Sequence, residues 1–108
     1  MAKEKGEPRT IEDLQAEFGR ITYLEIPGHG RLVFRGPKGE EWARYVDGLS
    51  GKGSNLQAAK ILVASCRVEP DAEGLAAALR EYPGAIMPIA GSIGELGGDE
   101  FELQIAKA

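Results

Sequence analysis

Two strand-like runs joined by a short turn set the first limit on how this chain folds. Residues 20–26 read RITYLEI and residues 31–35 read RLVFR, and both are rich in β-branched, aromatic and aliphatic side chains. Pro27-Gly28 between them suits the centre of a type II turn, because glycine accepts the positive φ required there. We therefore predict an antiparallel hairpin over residues 20–36, with Leu32 and Phe34 facing the helices.

Helical periodicity on both sides of the hairpin supplies surfaces against which it can pack. Before it, Thr10 is a predicted N-cap and Gly19 a natural stop for the run IEDLQAEF. After it, the run KGEEWARYVDGL places apolar residues at helical spacing: Trp42, Tyr45, Val46 and Leu49. An isolated hairpin is only marginally stable in water, so we expect these elements to pack together.

Three more helices are predicted in the C-terminal half. The run LQAAKILVASC is so apolar that we expect it to be the central buried helix. Asp71 caps the next helix, and Pro83 opens the last one. The predicted fold class is therefore α+β and mainly helical: one N-terminal helix and a β-hairpin packed with about four helices. We expect residues 1–9 to be a disordered tail, residues 10–98 a single α+β domain, and residues 99–108 a C-terminal tail.

Composition and charge exclude some classes of partner. The formal net charge is -4, the sequence pI is about 5.0, and the basic residues are dispersed. Nucleic acid binding needs a concentrated basic face, so we expect none. Glycines and Pro88 interrupt the longest low-charge stretch, which is shorter than the roughly 20 apolar residues that span a bilayer. Without an apolar leader region, the sequence predicts a cytoplasmic protein that does not bind membranes.

Candidate catalytic residues are few and scattered. His29, the only histidine, lies in the hairpin turn, and we expect it to be exposed. Cys66, the only cysteine, cannot form an internal disulfide and ends an apolar helix, so we expect it to be a buried packing residue. The segment GLSGKGS lacks the spacing of a phosphate-binding loop. We therefore predict no catalytic residues, no metal site and no cofactor.

The segment PGAIMPIAGSIGELGG, residues 83–98, carries one charged residue, Glu95. On a helix, one side of this segment is an apolar stripe and the other side is small and almost neutral, with Met87 as an adaptable apolar contact. Such a helix is either buried on two sides within the monomer or forms a surface for binding or self-association. We favour the second interpretation. The predicted partner-binding residues are Ile86, Met87, Ile89, Ala90, Ile93 and Leu96.

The order and spacing of these segments resemble the small tail assembly chaperones of long-tailed bacteriophages. In that family a strand containing an arginine and a proline leads into the first main helix, which corresponds here to residues 33–45. A middle helix then ends in a cysteine and a proline, as residues 62–70 do, and an acidic cap follows at Asp71. Residues 81–84 match the EYPG that opens the last helix, and the resemblance covers residues 11–96.

The resemblance implies a non-enzymatic function. Chaperones of this family bind the long, aggregation-prone tape measure protein and keep it soluble while the tail tube assembles around it. The tape measure protein is therefore the expected partner, and the tail tube protein is a further candidate. The alternative is a self-associating structural or adaptor protein of a phage or prophage particle, for which a large homo-oligomeric interface is expected.

Overall fold

The computed structural model describes residues 9–50 and 54–98 of the chain. The elements, in chain order, are α1 (Ile11–Phe18), β1 (Ile21–Ile26), β2 (Gly30–Arg35), α2 (Gly39–Ser50), α3 (Asn55–Ser65), β3 (Arg67–Glu69), α4 (Ala72–Glu81) and α5 (Ile86–Leu96). A single 3-10 turn, Pro83–Ala85, precedes α5. The predicted α+β class with mainly helical content is confirmed.

The helix starts predicted from capping residues are found where expected. The Thr10 side chain accepts the backbone N–H of Asp13, and the Asp13 side chain accepts that of Thr10, which completes a capping box. Gly19 ends α1 with a φ of 79°. Asp71 caps α4 by accepting the backbone N–H of Gly74. Local side-chain chemistry therefore sets these boundaries.

The predicted hairpin pairs β1 with β2 in antiparallel register, from Ile21 opposite Arg35 to Ile26 opposite Gly30. The His29 backbone N–H donates to the Ile26 carbonyl at 2.9 Å, and Gly28 has a φ of 82°. Both features fit the type II turn predicted at Pro27-Gly28.

The third strand was not expected. No strand was predicted between the helix that ends at Cys66 and the cap Asp71, but Arg67–Glu69 pairs antiparallel with β2, which places β2 at the centre of the sheet in the order β1-β2-β3. The Arg31 guanidinium reinforces this pairing with hydrogen bonds of 2.8 and 2.6 Å to the Glu69 carboxylate. Three residues carry too little pattern to predict a strand, and the pairing depends on a segment more than thirty residues earlier in the chain.

The main core lies between one face of the sheet and the helices α3, α4 and α5. Leu32 and Phe34 are fully buried in it, as predicted. Val33 lies between them on the strand and therefore points to the opposite face. It is also fully buried, as is Leu14 of α1, and α1 contacts β1. We conclude that α1 covers the second face of the sheet.

The predicted tails fall mostly outside the described residues, which exclude 1–8 and 99–108. Arg9, which we assigned to the N-terminal tail, is held in place. Its guanidinium pairs with Glu17, and its carbonyl accepts a 2.7 Å hydrogen bond from Arg31. Arg9 is therefore part of the folded domain and not of a tail.

Candidate docking surface

The partner-binding residues predicted on α5 are mostly part of the core. The buried ones are Ile86, Ile89, Ala90 and Ile93. These four side chains are enclosed by the chain's own sheet and helices, because α5 contacts β1, β2 and α3. The prediction that these four residues are free to contact a partner was wrong. The alternative interpretation, burial within the monomer, describes them correctly.

The other two predicted residues have different surroundings. Met87 is 47% exposed and remains accessible to a partner. Leu96 is half-buried, and its side chain lies against the backbone of Gly36. Beside the exposed side of α5, a shallow cleft of about 90 Å³ opens towards Tyr23 of β1 and Pro88. The accessible surface of α5 is therefore small.

Helix α3, which we expected to be central and buried, exposes apolar side chains on two sides. Its buried side consists of Ala58, Ala59, Leu62 and Val63. Leu56 and Ile61 remain 46% and 44% exposed. Each of these two exposed side chains lines a separate cleft, Leu56 beside α4 and Ile61 beside α2. The expectation of a buried helix holds for one side of α3 only.

The cleft beside α4, which we call the α3–α4 cleft, has a volume of about 430 Å³. It lies between α3, α4 and the 3-10 turn. Its apolar lining residues are Leu56, Ala76, Leu79, Pro83 and Ile86. The buried Ile86 contributes to this lining from the first turn of α5, so the cleft adjoins the helix on which we predicted the partner surface. Its shape and lining suit the apolar stripe of a helix.

Two cationic side chains complete the α3–α4 cleft, Lys60 from α3 and Arg80 from α4. Both are exposed, and neither makes an ion pair with any residue of the described ranges. Glu81, the neighbour of Arg80, is engaged elsewhere, since its carboxylate lies 2.6 Å from His29 Nε2. An apolar cleft with two cations that pair with no acidic residue of the described ranges is complementary to an apolar segment that carries carboxylates.

The contact with Glu81 also corrects our expectation for His29. We expected an exposed turn residue, but the side chain is only 20% exposed, and its ring packs edge-to-face with Tyr82 at a centroid distance of 6.3 Å. His29 therefore ties the hairpin turn to the end of α4. This is a structural contact between two distant segments of the chain.

A third cleft, which we call the α2–α3 groove, has a volume of about 200 Å³. Tyr45 and Gly48 line it from α2, and Ala58 and Ile61 from α3. The two helices approach closely because Gly48 has no side chain: a Cβ atom there would lie only 2.9 Å from the Cβ of Ala58. The groove is therefore tighter than the α3–α4 cleft.

An ion pair closes one end of the α2–α3 groove. Arg35 donates two hydrogen bonds to the Glu41 carboxylate, at 2.9 and 2.8 Å, and a third to the Ser65 carbonyl at 2.8 Å. The bonds from Arg35, together with the backbone N–H of Lys38, lower the pKa of Glu41 to about 2 and leave it ionised at neutral pH. The same contact with Glu41 raises the pKa of Arg35. The pair joins β2, α2 and the end of α3.

Cys66 is fully buried next to this ion pair, as predicted for a packing residue. Burial raises the pKa of its thiol to about 11, and the Glu41 carboxylate, 3.8 Å from Sγ, adds to the increase. The reactive thiolate is therefore scarcely populated at neutral pH.

Residues 9–50 and 54–98 hold neither a metal-binding cluster nor a membrane-spanning helix. No three His, Cys, Asp or Glu residues within these ranges are placed so that they could hold a metal ion. No helix there combines the length and apolar character needed to cross a bilayer.

Apart from Ile86, sequence reasoning missed the residues of the α3–α4 cleft. The sequence of α3 did carry a signal for the cleft. At helical spacing, Leu56 and Ile61 do not lie on the same side of the helix as Ala58 and Leu62. What could not be read from the sequence was the position of α4, which brings Arg80 to the same cleft as Lys60, twenty positions earlier. The cleft is a product of tertiary packing.

Comparison with known proteins identifies a family and a structural relative. No curated protein matches the chain. The structure resembles that of the uncharacterised protein rbstp2171 from Bacillus stearothermophilus, with a TM-score of 0.69 and 26% sequence identity over 90% of this chain and 100% of that one. Residues 27–105 match the family described as a domain of unknown function, DUF6848. This match spans well over half of the sequence, so the chain belongs to the DUF6848 family.

Proposed function

We propose that this chain is a non-enzymatic tail assembly chaperone of a long-tailed phage or prophage, which binds the tape measure protein in the bacterial host cytoplasm and keeps it soluble during assembly. The observation that supports this most directly is the α3–α4 cleft, an apolar cleft of about 430 Å³ with Leu56 exposed at its wall. The order and spacing of the sequence segments resemble those of this chaperone family and supply the choice of partner.

The chemistry of the cleft defines the segment it would take. Tape measure proteins of the implied type are long and aggregation-prone, so a chaperone needs an apolar cleft that accepts their amphipathic helices. Leu56 and Leu79 would contact two or three apolar side chains of such a helix, and the buried Ile86 would support this contact from the core. Lys60 and Arg80 would pair with Asp or Glu residues beside that stripe. The tail tube protein is a second candidate for the same cleft.

The modest size of the cleft suits temporary binding. Stable protein–protein interfaces bury roughly 1,200–2,000 Å² in total, which a cleft lined by seven residues supplies only in part. A chaperone that leaves before the tail is complete must dissociate readily. A limited contact favours this, because a lower affinity is expressed mainly as faster dissociation.

Co-expression with the tape measure protein of the same gene neighbourhood tests the proposal. The yield of soluble, co-purifying tape measure protein is compared for the wild-type chain, Leu56→Glu and Ile61→Glu. The two variants are matched, because both residues are on α3 and are almost equally exposed, but only Leu56 lines the α3–α4 cleft. We expect Leu56→Glu to lower the yield by about tenfold, the effect of placing a charge in an apolar contact. Ile61→Glu should retain the wild-type yield.

Other results would contradict parts of the proposal. If Ile61→Glu abolishes rescue and Leu56→Glu does not, the tape measure protein binds the α2–α3 groove and the assignment to the α3–α4 cleft is wrong. If the wild-type chain rescues nothing and light scattering shows a stable oligomer, the chain is a self-associating structural or adaptor protein and the chaperone function is wrong.

A further inference from the structure

The two edges of the sheet differ in how well they are protected against further pairing. β3, at one edge, is three residues long, its pairing with β2 is irregular between Val33 and Phe34, and Pro70 follows it. β1, at the other edge, pairs with β2 over six consecutive residues without a bulge. Its sequence ITYLEI contains neither lysine nor proline, the residues that most often block an edge strand. β1 is therefore the edge to which another strand can be added.

The outer edge of β1 carries backbone groups that the fold leaves without a strand partner. In an antiparallel pair, alternate residues of each strand point their N–H and C=O groups away from the other strand. Within residues 9–50 and 54–98, β1 pairs with β2 alone, and no backbone hydrogen bond joins its outer edge to another segment. A row of donors and acceptors at this spacing is complementary to the backbone of an extended segment.

β1 is complementary to a second copy of itself in the antiparallel direction. Arg20 precedes the strand and Glu25 lies near its end; both are exposed, and neither makes an ion pair with any residue of the described ranges. Antiparallel pairing brings the Arg20 end of each copy next to the Glu25 end of the other, whereas parallel pairing would bring like charges together. Tyr23, between these ends, is 52% exposed. An antiparallel pairing centred on Tyr23 places the two tyrosine rings opposite each other, and such cross-strand aromatic pairs are stabilising.

We propose that two copies of this chain associate through β1, antiparallel about a two-fold axis at Tyr23, so that one continuous sheet runs through both copies. Two short strands and one pair of rings bury less surface than a stable interface of standard size, so this dimer forms in a concentration-dependent equilibrium. No residue of β1 lines the α3–α4 cleft, and the dimer therefore does not depend on the chaperone function.

Sedimentation equilibrium of the full-length chain, without the tape measure protein, tests the proposal at concentrations from about 1 μM to about 1 mM. Tyr23→Lys should raise the dimer dissociation constant by about tenfold or more, because it places two like charges opposite each other at the axis. The control Ile61→Lys, which adds the same charge at an exposed apolar position on α3, should match wild type. A wild-type chain that stays monomeric throughout would overturn the proposal and leave the edge to a strand of another protein. Equal dissociation constants for Tyr23→Lys and wild type would also overturn it.

Disulfide formation tests the position of the axis. Residues directly opposite each other in an antiparallel pair have Cβ atoms about 4.5–5.5 Å apart, so Tyr23→Cys should oxidise rapidly to a cross-linked dimer. In the same pairing the two copies of residue 25 are separated by four residues along the strand, about 13 Å, so the control Glu25→Cys should oxidise much more slowly. Cys66 should not interfere, because its thiol is buried and its pKa is about 11. Equal rates for the two variants, or a faster rate for Glu25→Cys, would contradict the proposal.

Discussion

Helices α3 and α5 have the same length, eleven residues, and each buries four apolar side chains, but they differ in the apolar side chains that they expose. We expected α3 to be buried and α5 to present a surface. Instead both helices place four apolar side chains in the core; α5 exposes Met87 as its large apolar side chain, whereas α3 exposes Leu56 and Ile61 on two sides. The candidate partner surface thus moves from α5 to the cleft that α3 forms with α4.

The neighbours of each helix explain the difference. α5 is enclosed by the sheet on one side and by α3 on another. One neighbour of α3 is α2, which has no fully buried side chain between residues 39 and 49. Another is α4, and an open cleft separates α4 from α3. The hydrophobicity of a helix therefore predicts that it will be buried somewhere. It does not predict which of its sides the rest of the chain will cover.

A charge placed on the buried side of α5 should have the largest effect. Ile89 is 3% exposed, so Ile89→Glu would bury an unpaired carboxylate. We expect it to lower the free energy of unfolding by about 5 kcal/mol or more, which is enough to unfold a domain of this size. Circular dichroism and denaturant unfolding measure this. If the variant folds normally, α5 is an exposed helix and its contrast with α3 disappears.

Truncation of α3 should separate its two sides. Leu62→Ala should lower the free energy of unfolding by about 2–5 kcal/mol, because Leu62 is 1% exposed and its loss leaves a cavity. Ile61→Ala, the matched change one residue earlier, should cost less than about 1 kcal/mol because Ile61 is 44% exposed. Urea unfolding of both variants measures the two costs. Equal costs would show that α3 is buried all round.

Acid should weaken the attachment of α2 to β2. The pKa of Glu41 is lowered from its ordinary value near 4.5 to about 2, so its ion pair with Arg35 stabilises the fold above pH 4.5, and this contribution is lost as pH falls towards 2. The loss amounts to up to about 3 kcal/mol. Glu41→Gln should remove this part of the pH dependence between pH 5 and 2, measured by urea unfolding. An unchanged pH dependence in the variant would show that the ion pair does not stabilise the fold.

The smallest effect on stability is expected at the exposed position of α5. Met87→Glu should change the free energy of unfolding by no more than about 0.5 kcal/mol, since the side chain is 47% exposed. Thermal unfolding beside wild type measures this. A large loss of stability would place Met87 in the core and leave α5 with almost no accessible surface.

Local chemistry explains which parts of the fold the sequence predicted. The Thr10 capping box and the turn at Pro27-Gly28 each depend on residues a few positions apart. Strand β3 and the α3–α4 cleft depend instead on contacts between segments twenty or more residues apart. For the same reason four of the six predicted contact residues proved to be core residues. Their helix is apolar enough for either role, and only the position of the sheet decides between them.

The partner surface can be located by comparing how a variant of α3 and a variant of α5 bind the tape measure protein. Leu56→Glu and Met87→Glu each place one carboxylate at a similarly exposed apolar position, on α3 and on α5. Each variant is co-expressed with the tape measure protein, and the soluble complex is quantified after purification. We predict loss of the complex with Leu56→Glu and retention with Met87→Glu. Retention with Leu56→Glu and loss with Met87→Glu would return the partner surface to α5 and contradict its assignment to the α3–α4 cleft.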